Sequence, residues 1–263
     1  MSTLGLAMVE ATPSPALRPY VTRLTAYHEH YERPVTRSEA AMPGAVLILG
    51  FGAPTEVDGR PVTSFAGGLG DRFTLTRTSE PAEGVQVFLT PFGARRLYDL
   101  PMRHLTNVVV PVEDVLGPWA RAAVARLAET PSWTDRLALA DRLLARRILT
   151  GPELGPEVPW AWARLLGSGG ALRVSRLADS LGWSHRHLVA RFHDQVGLTP
   201  KAAARVIRFE RAARLVRAGT PIAEVAASCG FYDQAHLNRE FRALGDLTPG
   251  QIRPRPGKPP RAD

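Results

Sequence analysis

The sequence predicts an α+β chain: a small β-rich front, a helical middle, and an all-α back end of two helix-turn-helix motifs joined by a long helix. Three observations predict this. One short pattern is written twice between residues 174 and 249, and self-similarity at a fixed spacing outweighs any single motif. The basic excess of the chain lies with that repeat. The stretch before residue 113 holds short apolar or alternating runs broken by Gly and Pro, as strands of a small sandwich or barrel require.

Taken in order, residues 1–15 are small and Pro-bearing and are expected to be poorly ordered. Leu17–Tyr31 gathers Tyr27, His28, His30 and Tyr31. Ala45–Phe51 is an apolar run between Pro43-Gly44 and Gly52, and reads as a buried strand. Pro61–Phe65 and Arg72–Thr78 read as strands separated by a Gly67-Gly68 turn. Gly84–Thr90 is a further strand ended by Pro91, Ala94–Leu100 a short helix, and Asn107–Val112 a return to β structure. Pro118–Ala128 and Trp133–Leu149 follow with helical periodicity, Leu137, Leu144 and Ile148 marking one stripe. Gly151–Pro159 is Gly/Pro-rich and reads as a linker. The divisions are therefore 1–115, 116–159, 160–253, and a Pro-rich basic tail, 254–263, expected to be disordered.

The repeat decodes as two helices and a turn, twice. Leu177, Ala178, Leu181 and Gly182 reappear 48 positions later as Val225, Ala226, Cys229 and Gly230. Ser184, Leu188, Phe192 and Leu198-Thr199-Pro200 reappear 49 positions later as Asp233, Leu237, Phe241 and Leu247-Thr248-Pro249. In the first copy Val174, Leu177, Ala178 and Leu181 form one helical stripe. Gly182 offers the left-handed residue that ends a helix, and Ser184 is an N-cap for the next. Asp233 plays that part in the second copy. Between the copies, Thr199 caps and Pro200 starts a helix that Gly219 stops. At 1.5 Å per residue it would be roughly 28 Å long, close to the ~34 Å between successive major grooves on one face of a duplex.

Charge and composition narrow the function. Residues 1–160 carry a net −1 and residues 161–263 a net +9, the footprint of a module that neutralises phosphates. No run of about 18 apolar residues suggests a membrane span, and MSTLGLAMVEATPSP lacks the pattern of a signal peptide. A lone cysteine, Cys229, permits no internal disulfide and fits a reducing, cytoplasmic setting. It closes an apolar stripe, so a buried structural role is expected of it. No P-loop or Ser nucleophile elbow is present, so no enzyme activity and no cofactor are expected.

The tandem arrangement, with GFYDQAHLNREF near the end and LTP after each second helix, resembles the AraC family of transcriptional regulators over residues 165–253. That resemblance implies a DNA-binding domain of two such motifs on a long helix. It also implies a cupin-like front that binds a small-molecule effector, and a helical middle that forms a homodimer. The expected partners are double-stranded DNA and RNA polymerase, with no membrane.

Base contact requires outward side chains on the first half of each second helix. In the first motif these are His185, Arg186, Val189 and Ala190; Arg186 can grip guanine O6 and N7. Val189 and Ala190 offer only apolar contact, a departure from the long polar readers common in the family. In the second motif they are Gln234, Ala235, Asn238 and Arg239, with His236 placed for phosphate. His187 stands between a capping or phosphate role and an ordinary surface histidine. Lys201, Arg205, Arg208, Arg211, Arg214 and Arg217 spiral around the connecting helix, most as a solvated face, with Glu210 placed to pair with Arg214.

Two other readings compete. His28 and His30 share one strand face, as in a metal-binding cupin-type enzyme; only His104 is left in the front part to join them, and too few ligands for a metal favour a structural or effector-lining role. A non-specific architectural DNA binder would share the basic domain without needing two spaced reading helices.

Overall fold

The computed structural model describes residues 5–253. Its front half is two antiparallel sheets. The first has six strands in the order β1 (Gly5–Ala11), β2 (Val21–His30), β9 (Ala82–Leu89), β4 (Ala45–Gly50), β7 (Phe65–Gly67) and β10 (Val109–Pro111). The second has four: β3 (Val35–Glu39), β8 (Thr74–Thr78), β5 (Thr55–Val57) and β6 (Arg60–Val62). Val21 and Leu24 of β2, Val85, Val87 and Leu89 of β9, and Leu47 and Leu49 of β4 are fully buried. Strand β4 is apolar along nearly its whole length because it lies inside its sheet, between β9 and β7.

Helices then cover the six-stranded sheet. Thr90 caps α1 (Pro91–Tyr98), accepting from the Gly93 amide at 3.1 Å, so Pro91 opens this helix as well as ending the strand. A 3-10 turn (Met102–Leu105), α2 (Val112–Leu116), α3 (Pro118–Glu129) and α4 (Trp133–Leu149) follow. Helix α4 lies across β1, β2 and β9 and buries Leu137, Ala140, Leu144 and Ile148. Helices α1 and α4 close each other's ends. Arg96 of α1 donates to the Ile148 and Leu149 carbonyls (2.7 and 3.0 Å), and Arg147 of α4 donates to the Leu97 carbonyl (3.0 Å). Each cation satisfies carbonyls that the last turn of a helix leaves unpaired.

Several expectations for the front half are corrected. Residues 5–11 are a strand, because β1 pairs along its length with β2, from Gly5↔His30 to Ala11↔Leu24. The expected strand Pro61–Phe65 is two strands in different sheets, β6 and β7. Gly67 lies inside β7 and pairs with Val46 and Val109, so it is no turn. Gly68 is needed for close approach: a Cβ there would sit 2.2 Å from the Leu105 carbonyl oxygen. The linker read over 151–159 gives way at Glu157, where α5 (Glu157–Gly167) begins.

The back half is all helix: α5, α6 (Val174–Leu181), α7 (His185–Val196), α8 (Pro200–Arg217), α9 (Ile222–Ser228), α10 (Gln234–Gly245) and α11 (Pro249–Ile252). The expected tail, 254–263, lies outside the described residues. Among those described, no helix is long and apolar enough to cross a membrane.

Candidate nucleic-acid interface

The two motifs are built alike, from the caps upward. Gly182 (φ 64°) ends α6, and Gly230 (φ 72°) follows α9. The Ser184 hydroxyl accepts from the His187 amide at 3.2 Å, and the Asp233 carboxylate accepts from the His236 amide at 2.6 Å. These caps fix where α7 and α10 start and satisfy amides the first turn leaves free. Leu188 and Phe192 anchor α7, and Leu237 and Phe241 anchor α10; all four are fully buried. Phe192 tilts against Trp162 (6.1 Å) and Phe241 packs edge-on against Phe209 of α8 (5.0 Å). Ala178 and Ala226 are buried, and the first helix of each motif packs on the second. Cys229 is buried, as its place on the apolar stripe predicts.

Helix α8 joins the motifs. Thr199 caps it, accepting from Ala202, and Pro200 opens it. Its 18 residues span about 27 Å at 1.5 Å each. Ala203, Ala204, Val206, Ile207, Phe209, Ala212, Ala213 and Val216 are buried, because this rod runs through the middle of the domain. Small alanines let α5, α7, α9, α10 and α11 approach it closely.

The anchoring leaves the other side of α7 and α10 open. His185, Arg186 and Ala190 are exposed on α7, with Val189 half-buried. Gln234, Ala235 and Arg239 are exposed on α10, with His236 and Asn238 half-buried. His187 rests against Trp183 edge-on (4.5 Å), and His236 against Phe231 (5.4 Å). The Tyr232 amide donates to His236 Nδ1 at 3.3 Å, which leaves the opposite ring nitrogen as the donor.

Three further side chains of the two motifs stand exposed beside these positions. Tyr232, in the turn before α10, is 93% exposed. Arg191 and Arg242 are exposed on the two second helices. Their signal was available: Tyr232 immediately precedes the Asp233 cap, and both arginines lie one residue before or after a Phe anchor.

The connecting-helix cations divide. Lys201, Arg214 and Arg217 are exposed. Arg208 donates to the Gly170 carbonyl at 3.0 Å, and Arg211 packs beside Gly169. Arg205 pairs with Glu240 at 2.5 Å. Among the described residues Glu210 makes no ion pair with Arg214; both are exposed to water, where such a pair gains little. Elsewhere, His28 faces Glu83 at 3.7 Å, and no cluster of three or more metal-ligating side chains gathers among the described residues.

Residues 177–255 match the family model described as a helix-turn-helix domain. The C-terminal domain is of the AraC type. Over 87 residues the chain is 33% identical to the HTH-type transcriptional regulator MtrA of Neisseria gonorrhoeae, covering 32% of this chain and 29% of that protein. It is 34% identical to the HTH-type transcriptional regulator Rv1931c of Mycobacterium tuberculosis, covering 33% and 34%. The chain thus spans about a third of the length of these relatives. Fold likeness reaches further. The structure of ToxT from Vibrio cholerae aligns over 87% of this chain and 93% of its own, at 10% identity and a TM-score of 0.50. At that identity the likeness is one of fold.

Proposed function

We propose that this protein is a sequence-specific, double-stranded DNA-binding transcriptional regulator, with its AraC-type domain setting two reading helices into successive major grooves of one duplex face. One observation carries the reading. Helices α7 and α10 have a side-chain cap at the same position, the same Leu/Phe anchor and the same open side, and one rod joins them. The net +9 of residues 161–263 supplies the phosphate attraction. His185, Arg186, Val189 and Ala190 read in the first groove, and Gln234, Ala235, Asn238 and Arg239 in the second, with His236 on phosphate. Gln and Asn suit adenine, and Arg suits guanine. Output changes through contact with, or obstruction of, RNA polymerase.

The front domain modulates this by binding a small molecule or a second copy of the chain. Consistent with the first is an open cleft of about 410 Å³ between β1 and α4, lined by Val9, Leu24 and Leu137 together with Glu10, Asp141 and Arg142. Its volume falls within the roughly 300–1,000 Å³ typical of small-ligand sites.

Selection from a random duplex pool with the full-length protein tests the proposal. Two short preferred elements about one helical turn apart are expected. Uniform recovery of the pool would overturn sequence reading and favour an architectural binder.

A further inference from the structure

The front domain grips the back ends of both reading helices. Around α7, Arg103 pairs with Asp194, and the Thr106 hydroxyl donates to the Gly197 carbonyl. Around α10, the Ala41 amide donates to the Leu244 carbonyl at 2.7 Å, and the Ser38 hydroxyl donates to Asp246 at 2.8 Å. Between these grips lies Arg205, at the first turns of α8. Its Nε donates to Glu240 of α10 at 2.5 Å, and its Nη1 donates to the Asp71 carbonyl at 3.3 Å and stands 3.9 Å from the Asp71 carboxylate. Asp71 is itself held by Asn107. The Asp71 amide donates to Asn107 Oδ1, and Asn107 Nδ2 donates to the Asp71 carboxylate, both at 2.9 Å. Asn107 keeps a left-handed backbone (φ 56°) in that place. A polar chain therefore runs from Asn107 through Asp71 and Arg205 to Glu240.

We propose that Arg205 is a positioning residue for the second reading helix, tying Glu240 on α10 to Asp71 on the front domain so that the front domain sets how α10 meets DNA. This rests on the DNA-reading function proposed above. Among the cations of α8, Arg205 is the one that joins a reading helix to the front domain, and its guanidinium is spent on that contact rather than offered to phosphate. A planar fork can satisfy the carboxylate of one partner and the carbonyl of another at once; an ammonium cannot copy that geometry. Glu240 lies one residue from Arg239 and Phe241, so the tie acts beside both a base reader and an anchor. The same fixed contact gives a ligand in the front domain a path to α10, since it need only favour one arrangement of the Asp71 loop.

The test uses full-length Arg205→Gln, Arg205→Lys and Asn107→Gly on three duplexes: the selected site, and two in which either the first or the second element is scrambled. Glycine at 107 keeps the left-handed backbone while removing both side-chain bonds to Asp71. Arg205→Gln is expected to lower discrimination at the second element about five- to tenfold and to leave the first unchanged. Arg205→Lys should fall between. Asn107→Gly, which leaves the Arg205 and Glu240 side chains themselves in place, should reproduce the second-element loss in part, and it carries the test if Arg205→Gln fails to fold. Equal loss on all three duplexes, with the salt slope lowered by about one, would mark Arg205 as a phosphate contact and overturn the proposal. So would Asn107→Gly discrimination equal to wild type. A wild-type protein with no preference among the duplexes would overturn the function proposed above, and this inference with it.

Discussion

Gly197 and Asp246 stand at the same point of the two motifs, 49 residues apart, and both adopt the left-handed backbone that ends the second helix of a motif (φ 91° and 53°). One is glycine and the other is not, for a local reason. A Cβ on Gly197 would meet the Met102 carbonyl oxygen at 3.1 Å, whereas the Asp246 side chain is exposed and accepts from Ser38. Gly197→Ala is therefore expected to lower stability by about 1–2 kcal/mol, since a left-handed backbone costs a substituted residue that much. Asp246→Gly relieves that cost and loses one hydrogen bond worth about 1 kcal/mol, so its change should be near zero. Urea unfolding of the two variants, compared at equal m-value, checks the contrast.

Arg239 and Arg214 should part company on DNA. Arg239→Ala is expected to cost roughly 1–3 kcal/mol and to relax preference at one base pair, as loss of a bidentate guanine contact does. Arg214→Ala, on the exposed part of the rod, should weaken all duplexes alike or leave them unchanged. Titrations against single-base variants of the selected site separate the two. An Arg239→Ala protein with unaltered base preference would remove that residue from the readers.

The caps are a third target. Ser184→Ala and Asp233→Ala each remove the acceptor for an amide at the start of a reading helix, at a cost of roughly 1 kcal/mol. Replacement by Asn or Thr should recover most of it, because these also accept from the first turn. Thermal denaturation reads the cost, and duplex affinity should fall with it, since each cap fixes the helix end that the proposed function places in the groove.

Alkaline pH should loosen the front domain. Burial pushes the Tyr98 phenol well above its ordinary value of 10.0, and burial, then the Glu29 and Glu83 carboxylates, do the same to Tyr27. A phenol whose folded value is raised contributes stability that is complete below the unfolded value. That stability is lost as pH climbs from about 10 toward the folded value. The melting temperature should thus hold to about pH 10 and then fall. Tyr98→Phe should flatten the fall with little penalty at neutral pH, because the hydroxyl reaches the Val46 carbonyl only at 3.5 Å.

The back end was readable in advance because each of its decisions is local. Ser184 or Asp233 caps within three residues, Leu188 and Phe192 recur at helical spacing, and Thr199-Pro200 marks the start of the rod. The front was readable as β-rich and little more. Strand β1 carries no strict alternation, since it lies at a sheet edge with Leu6 and Val9 exposed. Strand β3, Val35–Glu39, is polar and short. Nothing between Pro61 and Gly67 announces that the chain changes sheets there, a matter of long-range pairing. Arg205 looked like one more cation on a spiral, because its partners lie 35 and 134 residues away.

The crossed arginines, Arg96 on the end of α4 and Arg147 on the end of α1, set where such a protein can be cut and rejoined. A chimera that changes parent between the two would hand each helix a stranger's terminus and strand the Leu97 or Ile148 oxygens. One that keeps the first parent through Gly151, whose missing Cβ admits the Arg96 carbonyl, inherits the bracket whole. Residues 152–156 are then the seam that spares this bracket, and a chimera joined there must still carry matched partners for the Arg103–Asp194, Ser38–Asp246 and Arg205–Asp71 contacts that cross it.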